Sequence, residues 1–365
     1  MIKSFKSIYN GKKVLVTGHT GFKGSWLCLW LKQLGADVIG YSLNPNTNPS
    51  FFEVLNIESE ITSIIGDIRD EKHLNDTIQK YKPEIAFHLA AQPLVRLSYL
   101  EPKNTYETNV IGTLNLFESV IKSDSVKAVV NITTDKCYEN KEWIYGYREI
   151  DPMGGYDPYS SSKGCVELLT NSYRQSFFND LNISVASVRA GNVIGGGDWA
   201  EDRLVPDIAR SISQNKVIVT RNPMSTRPWQ YVLEPLSGYL WIGALMLQKH
   251  NNLSEGWNFG PNDNDILSVE EVIKKSVGVW GRGNYIAESY ENKLHEANLL
   301  KLDISKAKSK LKWKPVYDSN RAIEETINWY KEFYENERFD AKEFSINQIK
   351  EYTREAINKN IIWSE

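Results

Sequence analysis

A short run rich in β-branched side chains, Lys13 to Thr17 (KVLVT), passes without a break into Gly18-His19-Thr20-Gly21-Phe22-Lys23-Gly24 and then into SWLCLWLKQLG. The apolar run suits a strand covered on both faces. Glycines at 18, 21 and 24 let the chain turn tightly, bring backbone amides close to a pyrophosphate and seat a helix against the strand. Gly35 is placed to stop that helix. Taken together the stretch predicts strand, phosphate-binding turn and helix, the opening of a dinucleotide-binding α/β domain. A plain glycine loop is the competing reading, and the flanking elements disfavour it. The second strand, Asp37 to Tyr41, should end beside an adenosine ribose, where an acid suits a free 2′-hydroxyl and an arginine a 2′-phosphate. Ser42, Leu43 and Asn44 are neither, and the lack of a nearby Arg or Lys favours NAD over NADP.

The alternation continues with strands expected around Ser63–Ile65, Pro83–Leu89, Ala128–Ile132 and Ile183–Arg189. Six such rounds define an α/β fold with a Rossmann-type doubly wound parallel sheet. Residues 1–190 are read as the NAD-binding domain carrying the catalytic residues, and 191–365 as a smaller C-terminal substrate-binding domain with some segments returning to the first. Helices are expected at Glu234–Gln248, Val269–Trp280 and Asn320–Asn336, and the charged tail after Arg338 is expected to be peripheral. In Gly66-Asp67-Ile68-Arg69, two readings of Asp67 stay open: acceptor for an adenine amino group, or N-cap of the next helix. The small residues Ala90 and Ala91 let a cofactor lie against the backbone. His88 reads as a hydrogen-bonded core histidine. Asn109, in an amphipathic helix beginning near Pro102, is expected to bridge strands and loops by hydrogen bonds.

The fifth strand delivers Thr133-Thr134-Asp135-Lys136 at its C-terminal end, where open parallel sheets place their ligands. Further on, Tyr159 stands four residues before Lys163, on one face of a helix. An ammonium near a phenol stabilises the phenolate, so the pair is expected to lower the tyrosine pKa toward a range useful for proton abstraction. Alone, the pairing is a common surface pattern. Its neighbours strengthen it: Thr134 offers a hydroxyl for the same substrate oxygen, while Asp135 and Lys136 add an acid and an amine that simple alcohol oxidation does not require. After the glycine-dense Gly191–Trp199 come Arg203, Arg221 and Arg227, followed by Trp229. Singly these are surface arginines; beside a dinucleotide site they suit a second, diphosphate-bearing ligand, which guanidinium groups bind in bidentate fashion.

A formal net charge of −3 gives no general attraction to nucleic acid or anionic membranes. Cys28, Cys137 and Cys165 are too scattered for a disulfide framework or a metal cage and read as packing residues, so no metal is expected. The N-terminal MIKSFKSIYNGKK lacks the apolar core of a signal peptide, and no run of ~18 apolar residues follows. A soluble cytoplasmic protein is expected. Most of the many tryptophans and tyrosines are assigned to the core, a few to stacking on a base or sugar.

The segments VTGHTGFKGSWL, HLAAQPLVRLSY, VVNITTDKCYEN, GGYDPYSSSKG, SVRAGNVIGGGDWAEDRL, RPWQYVLEPLSGY and EGWNFGP resemble the extended short-chain dehydrogenase/reductase superfamily and, within it, the sugar-nucleotide 4,6-dehydratases. The likeness spans Lys13 to Trp313. Lys136 stands where related dehydratases usually carry glutamate; the CDP-glucose branch is similar in having lysine there. The resemblance implies NAD-dependent conversion of CDP-glucose to CDP-4-dehydro-6-deoxyglucose and water, for deoxysugar pathways such as O-antigen and lipopolysaccharide synthesis. It assigns Gly18, Thr20, Gly21, Phe22, Gly24, Asp67, Ile68, Ala90, Ala91, Tyr159 and Lys163 to NAD, and Asn192, Arg203 and Arg227 to the nucleotide sugar. A homodimer or homotetramer is implied.

On this reading Tyr159 takes the proton from the carbon 4 hydroxyl, Lys163 holds the phenolate and Thr134 orients the oxygen. The resulting ketone acidifies the carbon 5 hydrogen, and Asp135 is the candidate acid for the departing carbon 6 hydroxyl, a role that requires it to stay protonated at neutral pH through burial. The carbon 5 base is open between Lys136, acting as a neutral amine, and Tyr159, with Lys136 stabilising an enolate. A nucleotide-sugar 4-epimerase is the nearest alternative, but needs no acid such as Asp135. A non-catalytic NAD-sensing protein is the other, and intact Thr134, Tyr159 and Lys163 argue against it.

Overall fold

The computed structural model describes residues 2–220, 222–248, 251–263, 265–287 and 299–365. Its first six strands are β1 (Lys13–Thr17), β2 (Asp37–Ser42), β3 (Thr62–Ile65), β4 (Ile85–His88), β5 (Ala128–Ile132) and β6 (Ser184–Ala190). Three short strands follow outside this set, β7 (Asn192–Ile194), β8 (Ile218–Thr220) and β9 (Thr226–Tyr231), before β10 (Gly256–Phe259), β11 (Ile266–Ser268) and β12 (Tyr285–Ala287). One sheet has the order β10-β6-β5-β4-β1-β2-β3 with every pairing parallel. Growth of the sheet reverses between β1 and β4, which creates the crevice where doubly wound sheets take their ligands.

Every residue of β4, β5 and β6 is buried, as expected when helices cover both faces. Alternation along β1 divides the core in two. Val14 and Val16 pack with Trp26, Trp30 and Phe87, whereas Leu15 packs with Ile39, Leu74, Ile78 and Phe117 on the opposite face.

Six strands are expected from the sequence, and the structure adds β10 as a seventh. Gly256-Trp257-Asn258-Phe259 begins with glycine and carries a central asparagine, so its local pattern is a poor strand. Its partner supplies the reason: Trp257 and Asn258 register with Val188 and Arg189 of β6. Buried Asn258 donates to Tyr147 O (2.8 Å) and accepts from the Tyr138 hydroxyl (2.8 Å). The helix Leu233–Leu247, buried along almost its whole length, also packs from the second half of the chain onto β5 and β6. Outside the main sheet, β7, β9 and β11 form a small mixed sheet, and β8 pairs with β12.

The charged tail is not peripheral. In the helix Ala341–Asn358, the residues Ala341, Ser345, Gln348, Ile349, Tyr352 and Ala356 make one buried stripe at helical spacing. Beyond it Trp363 is fully buried, its ring stacked on Phe5 (centroids 5.0 Å apart) and on Tyr352 (5.6 Å). The Tyr352 hydroxyl donates to Glu234 Oε2 (2.8 Å), whose carboxylate also accepts from Val316 N (3.0 Å) and Tyr317 N (2.6 Å). Charge density concealed an apolar stripe that closes the core. Trp26, Trp30, Trp241, Trp257, Trp280, Trp313, Trp329 and Trp363 are all fully buried, so core packing accounts for most of the tryptophans. Among the described residues no helix is long and apolar enough to cross a membrane, and no group of His, Cys, Asp or Glu is arranged to hold a metal ion. Cys28 and Cys137 are buried free thiols and Cys165 is half-buried.

Candidate active site

The glycine turn closes as its composition demands. Gly18 has φ +75°, and a Cβ there would stand 2.7 Å from Ala90 N; a Cβ at Gly24 would stand 2.0 Å from Gly18 O. Gly18 and Gly24 therefore allow the turn after β1 to meet the loop after β4 and the helix Phe22–Gln33 to seat on the strand. Gly21 is the N-cap of that helix and contributes no side-chain acceptor, so the first-turn amides are left to an anion. Thr20 donates to Leu43 O (2.9 Å) and lies 3.0 Å from Ser42 Oγ, which ties the turn to the end of β2. These features fit a dinucleotide pyrophosphate at the β1/β4 crevice.

Asp67, after β3, is gripped by Arg69, whose Nε lies 3.0 Å from both carboxylate oxygens. That hydrogen bond holds the Asp67 carboxyl below its usual range. The N-cap alternative for Asp67 is overturned: Asp70 caps the helix Glu71–Tyr81, accepting from His73 N (3.0 Å). Ile68 is buried against Gly112. Ala90 and Ala91 are half-buried, and Ala90 N donates to Thr17 Oγ1 (3.2 Å). His88 is held on both nitrogens, by Thr17 Oγ1 (2.7 Å) and Thr113 Oγ1 (3.0 Å). Burial and the Lys163 charge push its pKa down to about 3, consistent with a neutral core histidine.

At the end of β5, Thr134 caps a short turn of helix, Asp135–Cys137. Its hydroxyl donates to Asp135 Oδ1 (3.0 Å), and Lys136 Nζ stands 3.6 Å from the same oxygen. The other oxygen, Oδ2, is turned to Gly191, where a Cβ would come within 3.1 Å of it. Asp135 is 1% exposed.

Tyr159 sits in the first turn of the helix Pro158–Tyr173. Pro158 is preset for that position, and Asp157 caps it by accepting from Ser160 N (2.9 Å). The expected lowering of the tyrosine pKa is not what the protein shows. Burial pushes the phenol up to about 12; the Thr134 hydrogen bond and the Arg203 charge act downward, Asp135 and Asp157 upward. Desolvation outweighs the help of Thr134 and Arg203. Lys163 shares the helix face, and burial brings its ammonium down to about 8, with Nζ 3.4 Å from Ile132 O.

A cavity of about 710 Å³ opens beside these groups. Of the expected residues its wall takes in Phe22, Thr134, Lys136, Tyr159, Asn192, Arg203 and Arg227; Asp135 and Lys163 are not on the wall, though Gly191 is. Arg203 pairs with Asp198 (2.7 Å), whose charge raises the guanidinium pKa. Arg227, on β9, donates to Thr226 O (2.8 Å). Arg221 lies outside the described residues. Asn109 bridges a loop as expected, but to a helix rather than a strand: Oδ1 accepts from Gln92 N (2.8 Å) in the loop after β4 while Nδ2 donates to Ser162 Oγ (2.8 Å) in Pro158–Tyr173, from a π-helical turn of the kind frequent near functional sites.

Sequence reasoning passed over two features of the wall. Lys23 is half-buried, and burial, followed by the charges of Arg203 and Lys163, pushes its ammonium down to about 8. A cation in the first turn of a helix opposes the helix dipole, and that misfit was the available signal. Arg96, in the short helix Val95–Leu100, pairs with Asp202 (2.9 Å), joining segments 106 residues apart. Nothing local announces that contact.

Comparison with known proteins agrees with this architecture. Residues 15–326 match the family model described as GDP-mannose 4,6 dehydratase. The chain is 53% identical over 337 residues to a CDP-glucose 4,6-dehydratase of Salmonella typhimurium, a match covering 91% of this chain and 94% of that one. Its fold is similar to a UDP-glucose 4-epimerase of Thermotoga maritima solved with UDP-glucose (TM-score 0.74, 25% identity, 88% of this chain and 100% of that one). It is likewise similar to a dTDP-glucose 4,6-dehydratase of Bacillus anthracis solved with NAD (TM-score 0.73, 22% identity, 90% and 98%), a likeness of fold. With a family match across most of its length and a relative this similar, the chain belongs to the GDP-mannose 4,6 dehydratase family, the nucleotide-sugar dehydratases of short-chain dehydrogenase/reductase type.

Proposed function

We propose that this protein is an NAD-dependent CDP-glucose 4,6-dehydratase, releasing CDP-4-dehydro-6-deoxyglucose and water. The observation that carries the reading is a single cavity in which Thr134, Lys136 and Tyr159 face Arg203 and Arg227, so a reactive sugar and a diphosphate can be held at once. The cytosine nucleotide follows the Salmonella relative, whose chain matches this one almost end to end.

NAD held at the glycine turn would supply hydride chemistry, as acceptor from carbon 4 and donor to carbon 6. Gly18, Thr20, Gly21, Phe22 and Gly24 would hold its pyrophosphate side, with Asp67, Ile68, Ala90 and Ala91 along the crevice. Tyr159 takes the proton of the carbon 4 hydroxyl; the Thr134 hydrogen bond and the Arg203 charge act against the burial that disfavours a phenolate, and the Lys163 ammonium on the same helix face is given the further task of holding it. Thr134, hydrogen-bonded to that phenol, orients the oxygen. Once carbon 4 is a ketone, the carbon 5 hydrogen is acidic and the carbon 6 hydroxyl can leave if protonated. Asp135 is the acid, through Oδ2, because Thr134 and Lys136 both occupy Oδ1. Lys136, at the cavity wall with Nζ 3.6 Å from Oδ1 of the protonated Asp135, either removes the carbon 5 proton as a neutral amine or, as an ammonium, stabilises the enolate while Tyr159, having released its first proton to solvent, takes that proton. Asn192, Arg203 and Arg227 bind the nucleotide sugar.

The same proposal includes a homodimer or homotetramer working in the cytoplasm, in deoxysugar supply for surface polysaccharide. Incubation with NAD and, separately, CDP-, dTDP-, UDP- and GDP-glucose tests the assignment. Selective formation of a 4-keto sugar that has lost one water from CDP-glucose is expected. A product that keeps the carbon 6 oxygen would establish an epimerase instead, and turnover of none would leave a binding protein.

A further inference from the structure

Beneath the Thr134 loop lies a buried polar cluster that the mechanism above does not use. Glu167 stands two helical turns from Tyr159 and one from Lys163 on the same face of Pro158–Tyr173, and is 5% exposed. Its Oε1 accepts from the Thr133 hydroxyl (2.5 Å) and Arg189 Nε (2.8 Å); its Oε2 accepts from Ser187 Oγ (2.7 Å) and Arg189 Nη2 (2.7 Å). Thr133 is the residue before Thr134, and its amide is tied to Val188 O (2.8 Å). The carboxylate thus joins the end of β5, strand β6 and the Tyr159 helix at one point.

We propose that Glu167 is a positioning residue for the dehydratase reaction. Through Thr133 it fixes the strand end that carries Thr134 and Asp135, and it supplies the counter-charge one helical turn from Lys163. This rests on the functional reading given above.

The surroundings favour the charge role. Burial works against an ionised Glu167, but the Arg189 guanidinium and the hydrogen bonds from Thr133 and Ser187 outweigh it and hold the carboxyl at about 2. Groups acting on Lys163 come from several elements: Glu167 from its own helix, Cys137 from the turn after β5, His88 from β4 and Lys23 from the first helix. His88 is neutral, and burial holds the Cys137 thiol far above its ordinary range, so it is uncharged too. Lys23 is itself a cation. Glu167 is therefore the counter-ion acting on Lys163 among the described residues, and it opposes the burial that drives that ammonium down.

The test compares pH profiles of CDP-glucose turnover. Activity needs the Lys163 ammonium and falls as pH rises through its pKa, about 8 in this structure. Glu167→Gln should move that alkaline limb downward by about one pH unit, the displacement expected for loss of a close opposite charge. Because it strands Arg189, the double variant Glu167→Gln/Arg189→Gln accompanies it; a merely structural pair would be repaired there, whereas the displaced limb is expected to persist. Thr133→Val, which cuts the tie and keeps the charge, should lower kcat with KM and the limb unchanged, and Thr133→Ser should restore it. An unmoved limb in a folded Glu167 variant, parental kcat in Thr133→Val, or failure of both Glu167 variants to fold would each overturn the proposal. Parent protein without turnover would instead overturn the functional reading.

Discussion

Glu234 offers a stability measurement with a defined sign. It stands in the first turn of the helix Leu233–Leu247 and accepts from Val316 N, Tyr317 N and the Tyr352 hydroxyl, so one carboxyl joins the second half of the chain to its C-terminal helix. Burial dominates its ionisation, lifting the pKa from an ordinary 4.5 to about 7 against those hydrogen bonds. An acid whose folded pKa is raised binds protons more tightly when folded, so folding loses stability as pH climbs between the two values. At about 1.4 kcal/mol per pH unit, the interval from 4.5 to about 7 gives a penalty of about 3 kcal/mol, complete above pH 7 and absent below 4.5. Glu234→Gln keeps an oxygen for the two amides and an NH₂ group that can donate to the Tyr352 oxygen, but carries no charge. Relative to the parent, its melting temperature should rise from pH 5 to pH 8 by about 4 °C, from the size-scaled unfolding entropy. Differential scanning calorimetry across that range measures the difference. Parallel pH dependences for parent and variant would refute the argument that burial, rather than hydrogen bonding, controls this carboxyl.

The remaining predictions concern the reaction. Asp135→Asn should leave oxidation at carbon 4 intact and slow water loss on the order of 10²–10⁴-fold, the usual worth of a general acid; a variant that dehydrates at the parental rate would refute the acid assignment. Lys136→Met, followed by deuterium exchange from solvent at carbon 5, decides the base, since unimpaired exchange excludes Lys136. Gly191→Ala places a methyl 3.1 Å from Asp135 Oδ2 and is expected to slow dehydration about tenfold while the protein stays folded; parental dehydration would show that Oδ2 is not the working oxygen. Analysis of quenched reaction mixtures for keto, unsaturated and dehydrated sugars reads the two mutants of the acid site.

The cofactor half was legible because its signals are local. A β-branched run followed by glycines at fixed spacing gave β1 and the turn at the residues where they stand, and Ala128–Ile132 was read end to end. What stayed hidden depends on partners distant in sequence. β10 is a strand because β6 accepts it, and Glu167, Arg189 and Thr133 converge from three elements. The tail misled through its charge count, although Ile349, Tyr352 and Ala356 already repeat at helical spacing. At the site, the Tyr159–Lys163 spacing correctly placed both on one face, yet spacing carries no information about desolvation, which sets the phenol near 12. Asp67 was ambiguous for a similar reason: only the fold shows that Asp70 takes the cap and Arg69 takes Asp67.

In the proposed reaction electrons leave carbon 4 and return to carbon 6 of the same sugar. Turnover of CDP-glucose deuterated at carbon 4, with the product examined by NMR and mass spectrometry, tests this directly. The label should appear in the new methyl group at carbon 6, with a solvent-derived hydrogen at carbon 5 and one oxygen lost. Label washed out to solvent, or recovered at carbon 4 with the carbon 6 oxygen retained, would contradict it.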